Sequence, residues 1–150
     1  MVEIREFRAK LKKDNCDKRA GEWVYGHYCE LQDGKRCIPY IYGFGEVEKD
    51  TVSQWTGLKD VYGKKIYEGD IVHMVHRSGY AGMEDTDLGN GVVKYDATYY
   101  GGAAYRIDCI GEIGSRVFSA NLDVEVIGNI HDNPDKLTVY EQVTFFGEAQ

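Results

Sequence analysis

At 150 residues, 43% hydrophobic and 13% aromatic, the chain has apolar surface for one compact domain with a smaller appendage, but not for a second full-sized core. Its formal charge of -7 lies wholly in the second half, where Arg77, Lys94, Arg106, Arg116 and Lys136 face twelve carboxylates, which weighs against a phosphate-binding surface there. No run approaches the ~18 apolar residues of a membrane span and the first residues lack a signal-peptide core, so the expectation is a cytoplasmic protein with no membrane partner.

In chain order, Phe7, Ala9 and Leu11 alternate with Arg8, Lys10 and Lys12, the period-two pattern of a strand with one wet face. The basic stretch Arg5 to Arg19, which also holds Lys13 and Lys18, is diluted by Glu6, Asp14 and Asp17 and reads as that solvated face. Ile4, Phe7 and Leu11 would also fit a helical stripe. The aromatic and β-branched run Trp23 to Cys29, entered through Arg19-Ala20-Gly21, decides for a β-hairpin. A third strand, Ile38 to Tyr42, carries Pro39 and is therefore expected at an edge or a strand start.

Gly57, Gly63 and Gly69 stand six residues apart, each able to take a positive φ, so the chain is expected to bend at each before a strand over Ile71 to His76. A polar loop, Arg77 to Asn90, comes next. Gly91 to Tyr95 and Ala103 to Ile110 read as strands separated by Gly101-Gly102, Ser119 to Leu122 as a helical turn, and Asp123 to Ile130 as a further strand. Asn133-Pro134 suits a helix start, with Asn as cap and Pro at the first helical position. The apolar segment Leu137 to Phe146 must pack on its own chain or on another copy, which makes homo-oligomerisation an expectation.

Among candidate chemistries, Cys16, His27, Cys29 and Cys37 supply zinc-type ligands, but without the short-spaced pair of a structural zinc site, so ordinary reduced thiols are the simpler reading. His73 and His76 fall on opposite faces of a strand and do not form a chelating pair. Asp85 to Gly91 departs from a calcium loop at its fifth and sixth positions, and Asp96 stands where a glutamate belongs. Gly43-Phe44-Gly45 breaks the dinucleotide pattern at its last glycine, and neither a P-loop ending nor a G-x-S-x-G elbow occurs. The sequence therefore names no catalytic, cofactor-binding or metal residue and leans away from an enzyme. Tyr95, Tyr99, Tyr100 and Tyr105 could stack on bases, a nucleic-acid reading that the net acidity disfavours.

The stretch Glu68-Gly69-Asp70-Ile71-Val72 is similar to the turn-into-strand signature of SH3-like barrels, in which the aspartate bonds the turn's backbone. Taken in order, WVYG at Trp23 to Gly26, QWTGLKDVYGKKIYEGDIV at Gln54 to Val72, GVVKYD at Gly91 to Asp96 and EVIGNIHDNPDKL at Glu125 to Leu137 resemble the YopX-like family of phage and prophage proteins. The resemblance implies a mainly β fold of SH3-like character and a viral or prophage source, and imports no activity or cofactor. The residues that carry it have structural roles to fill: Trp23, Trp55, Tyr67, Ile71 and Ile127 in packing, and Gly57, Gly63, Gly69 and Gly128 at turns or bulges.

The expected architecture is mainly β with little helix: an N-terminal β region over residues 1 to 50, a small SH3-like barrel over 51 to 137, and a tail, 138 to 150, available to an oligomer contact. The expected function is a non-enzymatic interaction module, a homo-oligomer with a phage or host protein as partner in the bacterial host cytoplasm. The alternatives are a nucleic-acid-binding small barrel and a zinc protein or enzyme using Cys16, His27, Cys29 and Cys37.

Overall fold

β-branched and aromatic runs broken by positive-φ glycines give a mainly antiparallel β structure. The computed structural model describes residues 6–97, 104–111 and 114–137. The predicted tail 138–150, the glycine pair Gly101-Gly102, and Tyr99 and Tyr100 lie outside the described residues. The chain divides into two compact units, Met1–Gly57 and Leu58–Gln150, each with a buried apolar cluster.

In the first unit, β1 (Phe7–Lys10) pairs with β2 (Trp23–Gly26) in the expected hairpin, from Phe7↔Gly26 to Lys10↔Trp23. On its other side β1 meets β6 (Ser53–Lys59) through Phe7↔Gln54 and Arg8↔Ser53. β3 (Tyr28–Asp33), β4 (Arg36–Ile41) and β5 (Gly45–Glu46) form a separate three-stranded sheet. Ala9, Leu11, Val24, Ile41 and Val47 are buried between these strands, with Phe7, Tyr28, Phe44 and Val52 packed against them. Each such burial stabilises by roughly 1.5–3 kcal/mol for a full-sized aliphatic side chain.

Two expectations fail in this unit. Arg8 does not face water: it is 6% exposed, its guanidinium lies 4.7 Å from the Trp23 ring centroid, and its Nε donates to Ser53 Oγ at 3.2 Å. Lys10 approaches the same ring at 5.3 Å, so these two cations cover the indole instead of forming a solvated face. Pro39 sits in the middle strand β4, not at an edge or a strand start. Its carbonyl accepts from Val47 N–H at 3.0 Å, so its backbone faces β5, and the missing donor falls where the ladder pairs only Tyr40↔Glu46 and Ile41↔Gly45.

In the second unit, β7 (Lys65–Tyr67) leads through Gly69 into β8 (Asp70–His76), and β9 (Thr86–Asp96), β10 (Ala104–Cys109) and β11 (Ser115–Val117) follow as a meander. β12 (Leu122–Asn129) returns to the far side of β8, giving the order β11-β10-β9-β8-β12. Ile66, Val72, Met74, Val93, Ile107, Cys109 and Val124 make the core. Gly57, Gly63 and Gly69 all have positive φ, at 87°, 82° and 85°; Gly63 and Gly69 stand at the expected bends, whereas Gly57 lies within β6. No sheet formed by the described strands closes into a barrel, which reduces the expected SH3-like barrel to a mainly antiparallel β fold.

The predicted loop Arg77 to Asn90 is shorter than expected. β9 already begins at Thr86 and pairs with His76, a bulge at Met74/Val75 with Gly89 at φ 75° absorbing the extra residue. Ser119 to Leu122 is a reverse turn, closed by Leu122 N–H to Ser119 C=O at 3.1 Å, and not a turn of helix. Helix does begin after Asn133-Pro134, at 135–137, but the Asn133 side chain reaches backwards to accept Asn129 N–H at 3.1 Å. That side chain lies over Gly128, where a Cβ would come within 2.4 Å of Asn133 Oδ1. No helix among the described residues is long and apolar enough to cross a membrane.

Candidate interaction surface

The zinc-type ligands do not converge. Cys16 and Cys37 are exposed, Cys29 is half-buried, and no three His, Cys, Asp or Glu side chains among the described residues are placed to hold a metal ion. Cys37 instead belongs to a small network across β3 and β4, in which Glu30 accepts from Tyr28 Oη at 2.8 Å and from Cys37 Sγ at 3.2 Å. Partial burial and the bond to Glu30 push the Tyr28 phenol up to about 12. The bond to Glu30, then partial desolvation and the adjacent carboxylate charge, raise the Cys37 thiol, while the same two donors hold Glu30 below the ordinary range. A thiol whose proton is held by a carboxylate is a poorer nucleophile than a free one.

The histidines separate as the strand period requires. His73 Nε2 lies 2.9 Å from Asp87 Oδ1, whereas His76 turns to the face shared with Val72 and Met74. Asp87 also accepts Gly89 N–H at 2.8 Å, and this bond, with the one to His73, lowers its pKa. Asp85 accepts Ser78 N–H at 3.1 Å. The carboxylates of the calcium-like segment are thus committed to different local partners. Gly43-Phe44-Gly45 forms a tight turn closed by Phe44 N–H to Ile41 C=O at 3.0 Å.

What the second unit does present is large apolar side chains on ordered turns. Asp60 begins the turn between β6 and β7, and its Oδ1 accepts the N–H groups of Tyr62 and Lys64, both at 2.9 Å. Its Oδ2 accepts Val126 N–H at 3.0 Å, and Val61 N–H donates to Val124 C=O at 3.0 Å. Burial works against the Asp60 charge, but the three backbone donors and Lys64 outweigh it and hold its pKa low. The turn is therefore fastened to β12 while it displays Tyr62, 79% exposed, beside Val61.

A second turn is fastened to the same strand. Arg77 N–H donates to Asn121 C=O at 2.8 Å, and Arg77 Nε lies 3.8 Å from Asp123 Oδ2. Ser78 Oγ donates to Met83 C=O at 3.0 Å, so the loop between β8 and β9 is closed by its own hydrogen bonds. Tyr80 and Met83, 74% and 65% exposed, stand on this loop and line a shallow groove of roughly 330 Å³ with Asp85, Ala120 and Asn121. Exposed rings that cost little further ordering are the raw material of a protein contact. Sequence reasoning did not single out Asp60, Tyr62 or Met83; the signal was Asp-x-x-Gly between two β-prone runs, a turn with its own cap.

The YopX protein family matches residues 6–138, and the chain belongs to that family. No curated protein matches it.

Proposed function

We infer that this chain, a YopX-family member, is a non-enzymatic protein-interaction module of a phage or prophage, self-associating and acting on a phage or host protein in the bacterial cytoplasm. The observation that carries the reading is the pair of hydrogen-bonded turns anchored on β12, which hold Val61, Tyr62, Tyr80 and Met83 out from the surface. Large amphipathic side chains on a preordered backbone bind a partner with little loss of conformational freedom. The second unit is the part read as SH3-like, supported by Asp70 Oδ2 accepting Tyr67 N–H at 2.8 Å across the Gly69 bend.

Sedimentation velocity over a range of concentrations tests the self-association. The expected result is a reversible oligomer that V61S/Y62S or Y80S/M83S weakens without loss of the folded β signal. A monomer at every concentration overturns the self-association, and four substitutions that change no binding in a screen against phage and host proteins overturn the surface.

A further inference from the structure

The five cations of the acidic half differ in one respect. Arg77 pairs with Asp123, Lys94 with Asp108 at 3.8 Å, Arg106 with Asp96 and Asp108, and Lys136 donates to Ile127 C=O. Arg116 has no such partner among the described residues, and its buried Nε has no hydrogen-bond acceptor. Arg116 as a whole is half-buried, but native proteins rarely leave even a single buried donor unmet.

Arg116 stands opposite Ile107 on β11, which turns it to the core face of the sheet. There it lines a groove of roughly 250 Å³ together with Ser115, Ser119, His76, Leu88 and Leu122. No carboxylate lines this groove among the described residues, although the second half carries twelve. The described surroundings thus combine an unmatched guanidinium, hydroxyl groups, an imidazole and an apolar wall.

We propose that this groove binds an oxyanion, a carboxylate or a phosphate group, with Arg116 as its anchor. The guanidinium fork matches the two oxygens of either group, and a partly desolvated site strengthens such charge-assisted bonds. Ser119 and His76 flank the anion as further hydrogen-bonding groups, and Leu88 and Leu122 limit its size. The site does not depend on the chain being a self-associating module.

The test is an NMR titration of the full chain at low chloride with sodium phosphate and, separately, sodium acetate, following the Arg116 Nε–H and the amides of residues 115–119. Saturable shifts with a dissociation constant on the order of millimolar, abolished in R116Q with amide shifts elsewhere preserved, are expected. Saturation by phosphate alone assigns a phosphate group, and by acetate alone a carboxylate. Unsaturated shifts with both, or unchanged binding in R116Q, overturn the proposal. If R116Q does not fold, R116K serves: it lacks the Nε–H and should bind about tenfold more weakly, and unchanged affinity overturns the proposal.

Discussion

Asp60 and Val126 stand 66 positions apart in the chain, yet the carboxylate of one accepts the backbone N–H of the other at 3.0 Å. The same carboxylate closes its own turn on Tyr62 and Lys64, so one buried side chain joins the β6–β7 turn to the bulge of β12. Replacement by alanine leaves three backbone donors without this acceptor. D60A should lose about 2–4 kcal/mol in urea unfolding, and D60N, which keeps one acceptor oxygen, should lose less.

The acid dependence of stability follows from the sign of the Asp60 shift. Its folded pKa lies below the unfolded value, because three N–H bonds overcome the desolvation of the charge. Its stabilising contribution is therefore complete above the ordinary aspartate range and is lost as pH falls through the folded value. Urea midpoints measured between neutral pH and pH 3 should fall more steeply for the parent protein than for D60N. Parallel curves would remove Asp60 as a source of the acid sensitivity.

Gly128 and Asn133 form a coupled pair. A methyl at Gly128 would displace Asn133 Oδ1 from its bond to Asn129 N–H, since the two atoms would stand 2.4 Å apart. G128A should cost about 1–3 kcal/mol, and the G128A/N133A double variant should cost less than the sum of the singles. Gly91 is a harsher case. Its Cβ would meet the Asp108 backbone carbonyl at 2.8 Å as well as Ile107 at 2.4 Å, and a backbone atom cannot swing aside. G91A is expected to destabilise more than G128A in the same denaturation series.

Glu30 governs the chemistry of Cys37. With the thiol hydrogen-bonded to the carboxylate and its pKa raised, alkylation of Cys37 by iodoacetamide near pH 8 should be slow. E30Q removes the carboxylate charge and should speed the reaction at Cys37, read by peptide mass spectrometry, while the exposed Cys16 keeps its rate. An unchanged Cys37 rate would separate its reactivity from Glu30. E30Q should also shift the Tyr28 phenol downward in an ultraviolet pH titration.

The Trp23 ring should report on its cationic cover. R8M keeps an apolar stem but removes the guanidinium from the indole and from Ser53. A loss of about 1–2 kcal/mol is expected, with altered Trp emission when measured in a W55F background.

The strands and bends were legible because their signals are local. Alternation in Phe7 to Leu11, β-branching in Ile71 to Val75, and glycine where φ is positive act within a few residues. Arg8 misled the same logic: period two says only that Phe7 and Arg8 face apart, not that the second face is wet, and Trp23 supplies an aromatic cover that no local pattern announces. Proline chemistry points Pro39 to an edge or a strand start because the sequence does not reveal that β5 is only two residues long. The family was legible from the ordered motifs, and the match over residues 6–138 agrees. The groove at Arg116 was not, since His76, Leu88, Arg116 and Leu122 come from four strands whose order the sequence leaves open.

That strand order also imposes a timetable. β8 is complete by His76, but its partner on one side, β12, spans Leu122–Asn129. While the ribosome adds the intervening residues, the edge of β8 that will receive β12 has no ladder from it, although the meander β8-β9-β10-β11 can already assemble. An emerging chain therefore carries an open, apolar strand edge for a substantial part of its synthesis, the kind of edge that recruits other chains. Arrival of β12 ends that exposure, so its residues act as the latch that makes the nascent sheet safe at the concentrations of a cell.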